Sequence, residues 1–513
     1  MIAPVTSSLT ETPLRPSHTP PIPVTALAAL VGATIPGSPD QTLVTGITLR
    51  AQQVLPGDLF AALPSLAPGR PHGADFAGIA LTSGAVAVLT DPIGAQRPVL
   101  ARARVPVLVH PDPRSVLGAL SAHIFGNPAT RLAVLGITGT SGKTTTTYLL
   151  EAGLRAAGGT TGLLGTVQLR IGQWHLPTRG GTTPEAPELQ ALLALMLEHG
   201  VTHVPIEVSS HALALDRVAA TGFAVGAFTN LSQDHLDFHA DLEDYFAAKA
   251  RLFDGRAGAE VVCIDDAWGQ RLVTEETATV SLGGGASWHA ADIAAHPSGS
   301  QTFRARGPGG FDQRALVRLP GTFNVTNALV ALAVAHAAGA DPRLVLRGVA
   351  TAEVPGRMQR IDTGQGFLAV VDYAHKPAAV AALLDAVRAQ IPGRLLVVLG
   401  CGGDRDTGKR ALMGAEAACR ADLLVVTDDN PRTEDPAVIR AAMLAGAGAG
   451  TAEVVEIADR AEAIGHVVAR AIPGDAVVVA GKGHETGQQV CGVTHPFSDA
   501  EVLARVLADR SAR

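Results

Sequence analysis

The apolar run Leu132-Ala133-Val134-Leu135-Gly136-Ile137 passes almost directly into Gly139-Thr140-Ser141-Gly142-Lys143-Thr144-Thr145. An apolar run that breaks into glycine-rich sequence and then Lys-Thr reads as strand, loop and helix, which commits this part of the chain to an α/β unit. Such a loop aims backbone N–H groups and a helix N-terminus at phosphate oxygens. Lys143 would reach the terminal phosphates and the Thr144 hydroxyl would sit on Mg²⁺. A nucleoside triphosphate site over residues 139–145 is the first expectation. The glycine spacing departs from the commonest form of such loops: Ile137 stands five residues before Gly142, and the glycine stands at 139.

The length of 513 residues predicts about three domains, each large enough to bury its own core. A net charge of -7 provides no footprint for a nucleic-acid backbone. The four cysteines, Cys263, Cys401, Cys419 and Cys491, are widely spaced. That spacing points to a reducing compartment rather than to a disulfide framework or a zinc site. Residues 325–340 are the most membrane-like stretch, but Asn327 and His336 interrupt it and it is short for a span. A core helix is expected there. Residues 1–23 hold Pro, Ser and Thr without an apolar centre, and read as a disordered tail rather than a signal peptide. The expectation is a soluble cytoplasmic protein with no membrane insertion and no nucleic-acid partner.

No internal repeat is visible. Short apolar runs mixed with helical stretches over residues 24–128 predict a small α/β domain. A central domain over 129–355 starts with the strand before the phosphate loop. Its strand around 204–208 stops at Ser209-Ser210-His211, residues 302–319 alternate as antiparallel strands do, and a long helix follows from Asn324. From 356 to 513, four apolar runs each end in a polar cluster: 368–371 into Asp372-Tyr373-Ala374-His375, 395–399 into Gly402-Gly403-Asp404-Arg405, 423–426 into Asp428-Asp429-Asn430-Pro431-Arg432, and 477–480 into Gly481-Lys482-Gly483-His484-Glu485. Continuous apolar strands alternating with helices imply a parallel sheet. Ligands of open α/β sheets bind outside the carboxyl ends of the strands, so all four clusters are expected at one edge.

The central domain also supplies metal-type ligands. Glu207 and Thr144 suit magnesium, which prefers a few oxygen ligands beside phosphates and waters. By spacing alone, His235 in Asp234-His235 reads as a satisfied loop histidine, and Lys249 as a solvated helix residue.

The chain resembles the Mur ligase family. The motifs G-T-S-G-K-T-T, T-T-P-E (Thr182-Thr183-Pro184-Glu185), E-V-S-S-H-A-L, T-N-L-S-Q-D-H-L-D, G-R-M (Gly356-Arg357-Met358), D-Y-A-H, G-G-D-R-D, D-N-P-R and G-K-G-H-E occur in family order. The resemblance implies a three-domain architecture, with UDP-sugar recognition first, a central P-loop ATPase domain, and a C-terminal Rossmann-like parallel-sheet domain that binds an amino acid. It implies ATP-dependent amide formation through an acyl phosphate, with ATP as substrate and Mg²⁺, two ions being expected. D-N-P-R together with G-K-G-H-E points to the branch that adds diaminopimelate to UDP-N-acetylmuramoyl-L-alanyl-D-glutamate. The meso isomer is expected, with LL-diaminopimelate or lysine as alternatives. A folylpolyglutamate-synthetase-like ligase and a non-catalytic nucleotide-binding scaffold are the rival readings.

By the same resemblance Lys143, Glu207, His235 and Lys249 are catalytic. Lys249 would be carbamylated and would join Thr144, Glu207 and His235 around metal. Gly139, Thr140, Ser141, Gly142, Lys143, Thr144, Thr145, Asn324, Arg357 and Asp372 would bind ATP. The muramyl-peptide substrate would meet Leu49, His72, Gly73, Ala74, Thr182, Thr183, Ser209 and Arg217. Arg405, Asp429, Asn430, Pro431, Arg432, Gly481 and Glu485 would bind diaminopimelate. Leu49-Arg50-Ala51 lacks a serine common near the uridine, Leu215 replaces a common glutamine, and Gly181 stands where an asparagine can precede the two threonines. A monomer is expected, with closure between domains assembling the site.

Overall fold

Short Val-, Leu- and Ala-rich runs become parallel strands wherever helices return the chain to the same sheet edge. The computed structural model describes residues 14–36, 41–65, 69–176, 181–296, 299–448 and 450–511. The chain divides into two compact units. One comprises Met1–Lys143, Gly158–Val261 and Arg271–Thr277, the other Thr144–Ala157, Val262–Gln270 and Ala278–Arg513.

In the first unit, β1 (Ile22–Pro23) pairs antiparallel with β2 (Leu43–Val44). β3 (Gly46–Thr48), β4 (Asp58–Ala61), β5 (Ala87–Thr90) and β6 (Val107–Val109) come next as a parallel sheet in that order. Leu59, Leu89 and Leu108 of this sheet pack with Leu117 and Leu120 of helix Pro113–Ile124. Of the expected tail, residues 1–13 lie outside the described residues, whereas residues 14–17 are tied down. Leu14 packs against the core cluster that includes Leu192 and Met196. The Arg15 guanidinium forks onto the buried Asp58 carboxylate, and Ser17 N donates to Glu198 Oε2 at 2.8 Å. Composition suggested disorder through residue 23; these anchors are long-range and leave no local signal.

The next strands are β7 (Ala133–Thr138), β8 (Gly162–Leu164), β9 (Leu169–Ile171), β10 (Trp174–Leu176), β11 (His203–Glu207) and β12 (Val225–Phe228). They run in the order β10-β9-β8-β11-β7-β12. β8, β11, β7 and β12 are mutually parallel neighbours, whereas β9 and β10 add an antiparallel meander. β7 therefore lies between β11 and β12, and the glycine loop leaves its carboxyl end flanked by the ends of both. β13 (Glu260–Cys263) is the next strand along the chain.

In the second unit, β14 (Ala278–Ser281) pairs parallel with β15 (Trp288–Ala295), and β16 (Gln301–Gly307) and β17 (Phe311–Val317) continue antiparallel. Helix Thr322–Ala337 is buried nearly all round, as a core helix is. Among the described residues no helix is long and apolar enough to cross a membrane. β18 (Gln359–Arg360), β19 (Leu368–Asp372), β20 (Leu395–Leu399), β21 (Leu423–Val426), β22 (Glu453–Glu456) and β23 (Ala476–Ala480) form a sheet ordered β18-β19-β23-β20-β21-β22. Every pairing in it is parallel except that of β18. The four apolar runs are β19, β23, β20 and β21, adjacent and parallel, so their polar clusters share one edge as expected. β24 (Gly487–Val490) and β25 (Val493–Pro496) form a hairpin beyond that edge. The buried Arg460 guanidinium, paired with Asp499 at 2.7 Å, anchors the last helix.

Candidate active site

The loop after β7 turns at Gly139, whose φ of +143° and close neighbours demand glycine: a Cβ there would stand 1.9 Å from Thr229 Oγ1. The segment after β12 pins the loop. Thr140 N donates to Asn230 O at 2.8 Å and Ser141 N to Asn230 Oδ1 at 2.9 Å. Ser141 O accepts from Thr229 Oγ1 at 2.6 Å and from Asn230 Nδ2 at 3.1 Å. Thr140 Oγ1 accepts from Ser232 N at 3.0 Å and lies 3.2 Å from the Tyr245 hydroxyl. Lys143 Nζ folds back to donate to Gly139 O at 2.7 Å and Thr140 O at 3.0 Å. Gly142 leads into helix Lys143–Ala156, whose first-turn N–H groups have no acceptor within the helix. Thr144 and Thr145 are buried in that first turn.

Glu207 ends β11 and is buried. Its Oε1 accepts from Thr166 N at 2.9 Å and its Oε2 from the Thr166 hydroxyl at 3.2 Å. Lys249 lies on helix Leu242–Ala250 and is 1% exposed, which corrects the expectation of a solvated side chain. It stands four residues after Tyr245, on the same buried helix face. Its Nζ donates to Gly139 O at 2.8 Å and sits 4.5 Å from the Tyr245 ring centroid. Lys143 and Lys249 thus meet at one carbonyl. Burial pushes the Tyr245 phenol up, keeping it protonated.

His235 adopts a φ of +53° and holds Nε2 3.1 Å from the Asp234 carboxylate. Its ring meets that of His211 edge-on at 4.9 Å, and His211 stacks on Phe238 at 4.1 Å. Burial and then His239 hold the His211 imidazole below its usual range. His239 is fixed between Ser210 Oγ at 3.0 Å and Asp244 Oδ2 at 3.2 Å.

Thr182, Thr183, Ser209 and Arg217 are brought together around Glu207. The Thr166 hydroxyl lies 3.0 Å from Thr182 Oγ1, and Thr183 Oγ1 donates to Glu207 O at 2.8 Å. Ser209 N donates to Thr183 Oγ1 at 3.1 Å, while Ser209 Oγ caps helix Ser210–Ala214 through Ala212 N at 3.2 Å. Arg217 Nη1 donates to Thr183 O at 3.3 Å, and Arg217 pairs with Glu185 at 2.9 Å. Leu49 lies in the amino-terminal part of the chain, as do His72, Gly73 and Ala74, but Leu49 and Ala74 pack into different apolar clusters. His72 accepts from Ala74 N at 3.0 Å through Nδ1 and lies 3.0 Å from Asp91 through Nε2, and Gly73 N donates to Leu63 O at 2.8 Å.

The second unit holds the remaining residues. Asn324 is buried, donating to Pro320 O at 2.6 Å and accepting from Asn327 at 3.0 Å. The Asp372 carboxylate ends β19 and accepts from Met358 N and Ala374 N, each at 2.7 Å. Burial pushes its carboxyl up, against the pull of Arg357 and those two N–H groups. The Arg357 guanidinium lies 4.5 Å from the Tyr373 ring centroid, with its Nε buried and without a hydrogen-bond partner among the described residues. His375 and His484 flank the same ring at 4.6 and 5.1 Å. Burial first, and neighbouring cations second, hold them down to about 3 and about 4, so both are neutral.

At the shared edge, Asn430 is the hub. Its Nδ2 donates to Glu485 Oε2 at 2.7 Å, and its Oδ1 accepts from Lys482 Nζ at 3.0 Å and Gln489 N at 2.9 Å. Lys482 is fully buried and also donates to Glu485 Oε2 at 2.9 Å. Gly481, at φ +116°, approaches so closely that a Cβ would stand 2.7 Å from Asp429 Oδ2. After Pro431, Arg432 adopts a φ of +55° and donates from Nη1 to Gly403 O. Asp429, Asn430, Arg432, Gly481 and Glu485 are therefore gathered, while Arg405 stands exposed on the neighbouring loop.

Sequence reasoning named neither Thr166 nor Lys482 among site residues. Thr166 lies 41 residues from the Glu207 it serves, and no pattern links the two. Lys482 sits inside G-K-G-H-E, so its motif was the available signal.

Residues 137–335 match the family model described as Mur ligase middle domain, and residues 356–483 that described as Mur ligase, glutamate ligase domain. A UDP-N-acetylmuramoyl-L-alanyl-D-glutamate–2,6-diaminopimelate ligase of Corynebacterium glutamicum is 54% identical over 465 residues, 88% of this chain and 89% of its own length. One from Streptomyces coelicolor is 50% identical, covering 96% of this chain and 98% of its own. A solved structure of a ligase of that name superposes with a TM-score of 0.67 at 32% identity, over 94% of this chain and 99% of that one. MurF ligase from Thermotoga maritima, solved in complex with ADP, shares the fold at a TM-score of 0.64 and 18% identity, over 91% of this chain and 99% of its own. With its phosphate loop, its ordered motifs and half its residues held in common over nearly the full length, the chain belongs to the Mur ligase family.

Proposed function

We propose that the chain is the ATP-dependent ligase that joins meso-2,6-diaminopimelate to UDP-N-acetylmuramoyl-L-alanyl-D-glutamate, in the synthesis of a peptidoglycan precursor. The gathering of Asn430, Arg432 and Glu485 at one sheet edge carries this reading, in a chain half identical to ligases of that name. The enzyme works as a monomer in the cytoplasm on soluble small-molecule substrates.

A carboxylate is a poor acyl donor, because the charged group resists attack at its carbon and its oxygen is a poor leaving group, so the reaction has two stages. An oxygen of the D-Glu side-chain carboxylate attacks the γ-phosphorus of ATP, the bond to ADP breaks, and an acyl phosphate forms. The amine of diaminopimelate then attacks the acyl carbon and gives up a proton, and the carbon–oxygen bond to phosphate breaks. Positioning and charge neutralisation are the main tasks in such chemistry. Lys143 moves from the loop carbonyls onto the transferring phosphoryl group, and the loop from Gly139 to Thr145 cradles the phosphates. Asn324, Arg357 and Asp372 hold adenine and ribose. Thr182, Thr183, Ser209 and Arg217 hold the peptide beside Glu207, and Leu49, His72, Gly73 and Ala74 hold the uridine end.

Buried Thr144 and Glu207 offer the hard oxygens that magnesium prefers. Carbamylation of Lys249 would add a carboxylate-like group, with His235 completing the set. Magnesium, when bound, neutralises phosphate charge. At the third substrate, Arg432 pairs bidentately with the distal carboxylate, which a lysine side chain would not do. Glu485 and Gly481 take the distal ammonium, Arg405 takes the other carboxylate, and Asp429, Asn430 and Pro431 shape the pocket.

The test is phosphate release with UDP-MurNAc-dipeptide and a panel of meso-diaminopimelate, LL-diaminopimelate and lysine. Meso-diaminopimelate should exceed lysine by about 1,000-fold or more in kcat/KM, because a charged site built to pair with a substrate carboxylate rejects analogues that leave it unpaired. Arg432→Ala should lose that preference while binding ATP normally. Equal efficiency with lysine in the wild-type enzyme would sink the reading.

A further inference from the structure

The β24–β25 hairpin is mostly exposed, with β25 exposed at every residue and β24 half-buried. Its contacts with the diaminopimelate-type loop are nevertheless extensive. Arg432 N donates to Gln489 O at 2.9 Å, and Cys491 N donates to Arg432 O at 2.6 Å. Both backbone polar groups of Arg432 are thereby taken up by β24 and the residue after it. Gln489 N donates to Asn430 Oδ1 at 2.9 Å, and Gln488 Nε2 donates to Asp429 O at 2.8 Å. Asp429, Asn430 and Arg432 are all held by a strand the parallel sheet does not contain.

The need for such a holder is visible in Arg432 itself. A φ of +55° is a left-handed conformation that a residue with a side chain seldom takes. Left to itself the loop would relax toward extended or right-handed backbone, and the guanidinium would swing away from Gly403 O. The paired N–H and C=O bonds to the hairpin oppose that relaxation. A binding group must be fixed by a surrounding shell to select a ligand by bidentate geometry.

We infer that the 487–496 hairpin is a specificity element that fixes Arg432 for the distal carboxylate of the amino-acid substrate, with Gln488 as its positioning residue. This rests on the proposed function above. Gln488 touches no substrate in this scheme; it acts through the Asp429 carbonyl and the loop that continues to Arg432. The amino-acid selectivity of the enzyme is thus divided between the group that pairs with the ligand and a hairpin outside the sheet that sets its direction.

The test compares Gln488→Ala with Gln488→Met in the full-length enzyme. Methionine keeps the volume and loses the donor, so it separates hydrogen bonding from packing. Both variants should raise KM for meso-diaminopimelate by about tenfold, the typical effect of one lost hydrogen bond to a partly buried acceptor. Both should leave kcat and KM for ATP within about twofold, and narrow the preference over lysine. Wild-type KM in Gln488→Met would overturn the inference, as would an equal rise in KM for ATP. If the wild-type enzyme fails to prefer diaminopimelate, the function reading falls and this inference with it. If that preference exists and Arg432→Ala abolishes it while both Gln488 variants behave as wild type, only the hairpin inference falls.

Discussion

Placing a methyl group on Gly139 tests whether the segment after β12 builds the phosphate loop. The new Cβ would stand 1.9 Å from Thr229 Oγ1 and 3.0 and 3.1 Å from Asn230 O and N. Alanine at a φ of +143° carries about 1–3 kcal/mol of backbone strain. Relieving the clash swings the Thr229 hydroxyl away from Ser141 O at 2.6 Å and Thr138 O at 3.2 Å, a loss of about 1 kcal/mol. The sum of about 2–4 kcal/mol, if expressed at the loop, lowers kcat/KM for ATP by about 30- to 1,000-fold. Thr229→Ala alone should lose only about fivefold, since it forfeits one hydroxyl. The double variant removes the contact with Thr229 Oγ1 but keeps both the backbone strain and the lost hydroxyl bonds, so it should be no worse than Gly139→Ala. Phosphate release against ATP concentration measures all four enzymes. Additive losses to within about 0.5 kcal/mol, or normal activity in Gly139→Ala, would refute this account of the loop.

Lys143→Ala removes the cation proposed to follow the transferring phosphoryl group, and turnover should fall by about 100-fold or more with the melting temperature little changed; near-normal turnover would exclude that role. Lys249→Ala should be nearly inactive and partly restored by short carboxylates that replace the proposed carbamate oxygens, and no restoration at any carboxylate concentration would count against carbamylation. His375 is held down to about 3 when folded, against 6.5 for the free group. Below pH 6.5 the unfolded chain therefore binds a proton the folded chain does not, so stability should fall as pH drops from about 6.5 toward 3. His375→Gln should remove that part of the slope in urea titrations, and unchanged slopes would contradict it.

The carboxyl-terminal sheet was legible because Leu368–Asp372, Leu395–Leu399, Leu423–Val426 and Ala476–Ala480 are short, wholly buried runs ended by polar residues. β22 was not, since Glu453 and Glu456 bracket two half-buried valines at the sheet margin. The β9–β10 meander is equally faint, three residues per strand around a turn at Gly172. At the site, the glycine loop announces itself because one contiguous run makes it. Burial of Lys249 was illegible because a lysine in an amphipathic helix carries no mark of what covers it. The carbonyl it meets, Gly139 O, lies 110 residues away. The grip of Gln488 on Asp429 O crosses 59 residues and leaves no trace in either motif.

The anchoring of residues 14–17 bears on where the protein can be cut. A shortened chain starting at Val24, the first helical residue, looks harmless from composition. It would strip Arg15 from Asp58, a carboxylate 1% exposed that, among the described residues, also accepts from Leu55 N at 2.9 Å. An abandoned buried charge of that kind costs about 3–5 kcal/mol. The same cut would free Glu198 from Ser17 and remove Leu14 from the core it packs against. Shortened or fusion versions meant to preserve the fold should therefore begin before Leu14, and a protease site engineered between residues 17 and 22 would act as a release catch for the amino-terminal sheet.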